Sequence, residues 1–156
     1  MTTLHIICGL PGSGKTTLAK RLENELPALR LCPDEWMERI VGDGHNEPMR
    51  NAIESTQWKV AERVLVLGVD VILENGFWAR EERYEYRSRA ESLGVELEIH
   101  FLDVPKDELL RRLEARNSAL PPDTFHVTKE ELISWWNVFE PPTHDELAST
   151  SSQTRN

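Results

Sequence analysis

Residues 9 to 16 read Gly9-Leu10-Pro11-Gly12-Ser13-Gly14-Lys15-Thr16, the pattern G-x-x-x-x-G-K-[ST] of a phosphate-binding loop. Before it, Leu4-His5-Ile6-Ile7-Cys8 suits a buried strand. After it, Leu18, Ala19, Leu22 and Leu26 recur at helical spacing. Strand, glycine-rich turn and helix are the context this motif requires. Gly9, Gly12 and Gly14 open backbone conformations closed to other residues. Successive N–H groups then converge on a concavity for anionic oxygens, and the following helix adds its positive end. Lys15 is expected to reach the β- and γ-phosphates of a nucleotide, and the Thr16 hydroxyl to ligate Mg2+. At ordinary residue frequencies a chance match in a chain this long is about half a per cent, so the loop decides the reading.

Outward from the loop, strands and helices alternate. A helix over residues 14–26 stops at Pro27. A strand over 28–32 leads into a short helix over 34–41, then a loop at 42–46. Pro48 opens a helix over 49–67, closed by Gly68. A strand over 69–73 ends in Glu74-Asn75-Gly76. A helix over 79–93, a strand over 95–102 and a helix reaching residue 117 follow. Residues 118–125 form a Pro-containing loop, and Thr128-Lys129-Glu130-Glu131 is a capping box opening a helix to about residue 139. This order implies an α/β fold, a parallel sheet with helices on both faces, whose ligands sit at the carboxyl ends of the strands. Residues 1–148 read as one domain and 149–156 as a frayed polar tail. Four strands are convincing; the segment after Glu146 is too polar for a fifth.

Composition sets the bounds. The chain has 156 residues, 39% hydrophobic and 29% charged, the balance of one globular domain. No run of 18 apolar residues exists, so no membrane span is expected. The start of the chain enters the first strand directly, leaving no room for a signal peptide. Cys8 and Cys32 fall at strand ends and read as buried apolar residues, not a disulfide. The five histidines are scattered without zinc spacing. Together these features point to the cytoplasm. The net charge of −9 argues against a long nucleic-acid partner but not against a small anion held by local arginines.

The N-terminal loop, an acidic residue after the second strand, a strand ending in Glu-Asn, and Arg112-x-x-x-Arg116 resemble the P-loop kinases. Among these the chain is most similar to the small family containing the 5′-kinase domain of polynucleotide kinase, zeta-toxin kinases and chloramphenicol phosphotransferase. The resemblance implies a three-layer P-loop NTPase fold. Its parallel sheet would run in order 2-3-1-4, with the family's fifth strand in doubt here, and a helical lid would close over ATP. It also implies that Asp34 accepts the proton of an attacking hydroxyl and that Arg112 and Arg116 contact the ATP phosphates. Polynucleotide kinases usually carry arginine three residues beyond the aspartate; Met37 stands there in this chain, which points away from a polynucleotide 5′ end.

Each assignment has a structural alternative. Asp34 suits a general base or a helix cap. Glu74 suits a ligand of Mg2+ or its water, an acceptor contact, or a partner of loop amides. Asn75 suits an acceptor contact or a turn. Arg80 and Arg83, nearest the strand end, suit an anionic acceptor, but the interleaved Glu81, Glu82 and Glu85 equally describe a solvated surface. Trp78 suits ring stacking on the acceptor, whereas Trp135 and Trp136 suit packing. The function expected is transfer of the γ-phosphoryl group of Mg-ATP to a hydroxyl of a small molecule or nucleotide-like acceptor. The alternative is a nucleotide-dependent switch acting through a partner.

Overall fold

All six residues of β1 (Thr3–Cys8) are buried, as a central parallel strand requires. A computed structural model, which describes residues 1–122 and 124–151, places β1 between β3 (Asp70–Gly76) and β4 (Glu96–Phe101), both parallel to it. β2 (Ala28–Leu31) pairs parallel outside β3, giving the order β2-β3-β1-β4. This is the expected α/β order, and no fifth strand occurs among the described residues.

The two faces of β1 follow its period of two. Leu4, Ile6 and Cys8 pack with Ala61 and Leu65 of α3 (Glu47–Val66) and with Tyr86 and Ala90 of α4 (Arg80–Leu93). Ile7 turns to the other face and meets Ala19 of α1 (Lys15–Glu25) and Ile72. A third cluster forms beyond the strand ends. There Leu10 of the glycine-rich loop packs with Leu109 and Leu113 of α5 (Lys106–Ser118), Val127, and Leu132 of α6 (Lys129–Val138). That cluster fixes the loop against the two helices that overhang it. No helix among the described residues is long and apolar enough to cross a membrane.

Several boundaries differ from the sequence reading. The helix expected over 34–41 begins one residue earlier as α2 (Pro33–Trp36) and continues as a π-helical turn, Met37–Val41, with Met37 fully buried. α3 starts at Glu47 because the Asn46 side chain accepts the Met49 N–H at 3.1 Å. β3 runs past residue 73 because its pairing with β1 continues, through a register shift, to Cys8 opposite Gly76. The Thr128 capping box forms in both directions. A further helix, α7 (His144–Ser151), lies against β4. It opens on a second reciprocal cap, with the Thr143 N–H donating to Glu146 at 2.8 Å and the Glu146 N–H to the Thr143 hydroxyl at 3.2 Å. Of the expected tail at 149–156, residues 152–156 lie outside the described residues. Cys8 and Cys32 are free and buried, and burial pushes both thiols up to about 12.

Candidate active site

The glycine-rich loop takes the shape its sequence demands. Gly12 and Gly14 have φ of 84° and 98°, the left-handed region where a side chain is strained. The Ser13 hydroxyl donates to the Leu10 carbonyl at 2.6 Å and closes the turn. Lys15 and Trp78 both donate to the Gly9 carbonyl, each at 3.2 Å. Burial lowers the Lys15 pKa, and nearby Asp34, Cys32 and Glu74 oppose the fall.

The ends of β2 and β3 bring carboxylates to this loop. Thr16 donates to Glu74 Oε1 at 2.8 Å. The other Glu74 oxygen accepts from Arg30, whose second nitrogen reaches Glu35 at 2.8 Å. Burial opposes charge on Arg30, but the hydrogen bonds from Glu74 and Glu35 outweigh it and hold its pKa up. Asp34 sits in the first turn of α2, where Cys32 is the cap position, so the N-cap alternative for Asp34 falls away. Its Oδ1 accepts from Arg50 of α3 at 2.8 Å. The side-by-side hydroxyl of Thr16 and carboxylate of Glu74 are hard oxygen donors, the set that suits Mg2+.

Two cavities of about 520 and 550 Å3 meet at this point. The first is lined by Gly12, Gly14, Lys15, Thr16, Arg112 and Arg116. The second lies between α3, α4 and α6 and is lined by Arg50, Glu54, Asn75, Trp78, Glu82 and Trp135. Lys15, Asp34 and Glu74 border both. In the second cavity Asn75 donates to the Tyr86 hydroxyl at 3.4 Å, and its buried Oδ1 has no partner among the described residues. Trp78 and Trp135 have ring centroids 5.5 Å apart.

Arg80 and Arg83, expected here as acceptor contacts, stand elsewhere. Arg80 is exposed and donates to Tyr84. Arg83 is sealed at 1% exposure, with Nε 2.9 Å from Glu146 and Nη1 2.8 Å from the Phe77 carbonyl. Arg83 braces the turn after β3, where Phe77 has φ of 50° and Gly76 has φ of 91°. A Cβ on Gly76 would lie 2.9 Å from Trp78 Nε1, so this close approach requires glycine.

Sequence reasoning missed Arg50, Arg30, Glu54 and Glu82. Glu54 and Glu82 face the second cavity, and neither carboxylate has a hydrogen-bond or ion-pair partner among the described residues. Burial and then Glu82 push Glu54 up to about 7; burial and then Glu85 push Glu82 up to about 6.

α5 and the following loop overhang the first cavity. Arg112 donates to the Gly12 carbonyl at 3.2 Å. Arg116 is half-buried, its Nε has no partner among the described residues, and burial lowers its pKa while Asp34 opposes this. Asn117 ties down the loop by donating to the Val127 carbonyl at 2.6 Å. Phe125 of this loop borders both cavities.

A strand, phosphate loop and helix followed by carboxylates at neighbouring strand ends and an arginine-bearing overhang define a P-loop kinase-like domain. The chain belongs to the AAA-domain family AAA_33, whose features match residues 4–142. It is similar to the shikimate kinase of Corynebacterium jeikeium (strain K411), 26% identical over 118 residues, which cover 76% of this chain and 62% of that enzyme. Among solved structures it is similar to a chain of the Pnkp1/Rnl/Hen1 RNA repair complex, with a TM-score of 0.75 and 19% identity over 97% of this chain and 46% of that one. A gluconokinase from Sinorhizobium meliloti 1021 has a TM-score of 0.63 and 16% identity, covering 92% of this chain and 78% of its own. The match thus spans less than two thirds of the shikimate kinase and about half of the repair protein.

Proposed function

We propose that this protein transfers the γ-phosphoryl group of ATP to a hydroxyl of a small acceptor. The observation that carries the reading is the meeting of the two cavities at Lys15, Asp34 and Glu74. A nucleotide in the first cavity and an alcohol in the second would face each other across these groups. Asp34 receives the hydroxyl proton as the acceptor oxygen forms its bond to phosphorus and the bond to the β–γ bridging oxygen breaks. Arg50 holds one Asp34 oxygen, which orients the other toward the acceptor. Lys15, Arg112 and Arg116 balance charge on the phosphates. Thr16 and Glu74 would hold Mg2+, which when bound neutralises phosphate charge.

The acceptor cavity is rich in carboxylates. Lys15 would be committed to phosphate, and Arg50 is paired with Asp34; Glu54 and Glu82 feel nearby arginines but form no ion pair among the described residues. This favours a neutral or amine-bearing hydroxyl compound over an anionic one, and a small molecule over a polynucleotide.

The test is transfer of labelled γ-phosphate from Mg-ATP to matched acceptors of one carbon skeleton bearing an amine, only hydroxyls, or a carboxylate. Label should pass to the amine or neutral acceptor and vanish in Lys15→Ala. Asp34→Ala should keep nucleotide binding while transfer falls by about 100-fold or more. Transfer unchanged in Asp34→Ala removes that residue from its role, and ADP release that no acceptor stimulates favours a nucleotide-dependent switch.

A further inference from the structure

On the sheet face shared with α1, away from both cavities, β1 and β4 bring three potential metal ligands together. Glu98 pairs in register with His5, and His100 with Ile7, so Glu98 and His100 project on the same face as His5. His5 Nδ1 lies 3.1 Å from His100 Nε2. The Glu98 carboxylate lies 3.7 Å from His5 Nδ1 and 3.8 Å from His100 Nε2.

The tautomer of His5 follows from its other partner. Its Nε2 lies 3.2 Å from Asp70 Oδ2, and the second Asp70 oxygen is fixed by the Thr3 N–H at 2.9 Å. A carboxylate accepts only, so Nε2 carries the proton and Nδ1 presents its lone pair to His100. Two ring nitrogens facing each other across 3.1 Å require something between them: the hydrogen of a neutral His100 Nε2–H, or a metal ion. Asp70 and Glu98 supply two negative charges here, and among the described residues neither is paired with lysine or arginine. A divalent ion balances that charge; a shared proton on neutral rings does not.

We propose that His5 Nδ1, His100 Nε2 and a Glu98 oxygen form a Zn2+ site that ties β1 to β4, with water in the remaining position and Asp70 orienting His5 from outside. Tetrahedral zinc with nitrogen ligands sets ligand–ligand edges of about 3.3 Å; the two ring nitrogens are 3.1 Å apart, Glu98 Oε2 is 3.7 Å from His5 Nδ1 and Glu98 Oε1 is 3.8 Å from His100 Nε2, so a small rotation of this half-exposed side chain brings one oxygen to the edge. Paired imidazoles select zinc over Mg2+. A carboxylate behind a ligating histidine is the usual outer support of such a site. The Glu98 side chain is 44% exposed, which gives the ion a way in from solvent.

The experiment titrates chelator-stripped full-length protein with ZnCl2 at pH 7.5 in excess Mg2+, read by calorimetry, with Co2+ absorption as a check on tetrahedral geometry. The expected result is one equivalent bound, a higher melting temperature with zinc, and a tetrahedral Co2+ spectrum. His100→Gln and Glu98→Gln should each weaken binding by about 100-fold or more while melting like the metal-free wild type. These two side chains are partly exposed, so their variants should fold where His5 substitutions, in the core, would not serve. His45→Gln, which removes a histidine at the acceptor cavity, should leave zinc binding intact. Absence of stoichiometric zinc uptake, or uptake equal in wild type, His100→Gln and Glu98→Gln, overturns the proposal and leaves the pair bridged by a proton.

Discussion

Replacing Glu146 by alanine tests whether Arg83 is a brace or an acceptor contact. Arg83 makes a two-pronged pair with Glu146, at 2.9 and 3.3 Å, and donates to the Phe77 carbonyl at 2.8 Å. Its exposure is 1%, so solvent cannot replace a lost carboxylate. Breaking a buried pair from one side costs about 3–5 kcal/mol, partly because the turn it braces holds Phe77 at φ 50°. In a chain of this size that lowers the melting temperature by about 6–20 °C, at about 2–4 °C per kcal/mol. Glu146 also caps α7, so Thr143→Ala, expected to cost about 1 kcal/mol, is the control to subtract. The double variant Arg83→Met with Glu146→Met should recover most of the loss because no charge stays buried alone. Burial would raise the Glu146 pKa, but hydrogen bonds from Arg83 and the Thr143 N–H outweigh it and lower the value. The pair's contribution is therefore complete above the unfolded glutamate pKa of about 4.3 and is lost as pH falls through the lower folded value. Urea unfolding followed by circular dichroism reads all of these. If Glu146→Ala costs under about 1 kcal/mol, the range of an exposed pair, while Arg83→Ala raises the acceptor KM alone, the bracing role is wrong.

Other outcomes follow from the same geometry. Arg116→Ala should lower the phosphoryl-transfer rate by about 1,000-fold with little change in melting temperature, since its buried Nε has no partner among the described residues; an unchanged rate would remove it from the phosphate site. Arg30→Gln should leave Glu74 without its cation, destabilise the fold, and shift the Mg2+ concentration for half-maximal transfer; an unaltered Mg2+ titration would detach Arg30 from the metal role of Glu74. Glu54 titrates higher in the folded chain, at about 7 against 4.5. The folded state therefore holds its proton more tightly, and stability is lost as pH rises between those values. Glu54→Gln should melt higher than wild type at pH 8 and equally at pH 4; equal melting at both would deny that this carboxylate is desolvated.

What the sequence carried was local chemistry. The phosphate loop, the alternation of strands and helices and the Thr128 cap rest on short-range patterns, and all three appear in the structure, whereas the strand order came from the family resemblance. The Thr143-x-x-Glu146 signature was equally local but lay in a segment whose polarity hid the helix it opens. The misplacement of Arg83 has another cause. Helical spacing placed Arg83 near the strand end, but its direction depends on Glu146, 63 residues away in sequence. Arg30, Arg50 and Glu54 were invisible for the same reason. An arginine on a strand or a glutamate in a long helix reads as surface until tertiary packing turns it toward Glu74, Asp34 or a cavity. His5 and His100 likewise stand 95 residues apart, a separation no ligand-spacing rule spans.

Arg50 gives these separate pieces a common logic. It donates to Asp34 at 2.8 Å and to the Gly44 carbonyl at 3.1 Å, and its guanidinium lies 5.8 Å from the centre of the Phe125 ring. One planar, permanently charged group thus meets Asp34, the loop before α3 and the overhang after α5. Phe125 borders both cavities, so Arg50 links Asp34 to the overhang beside both of them. Because Arg50 also holds one oxygen of Asp34, a displacement of the overhang would reach the proposed base through it. On the proposed kinase reading, proton acceptance at Asp34 and contact with the phosphates would then depend on one arrangement. Under the proposed reading such coupling would favour transfer to an alcohol over loss of the phosphoryl group to water, because the base would be aligned with the overhang in place.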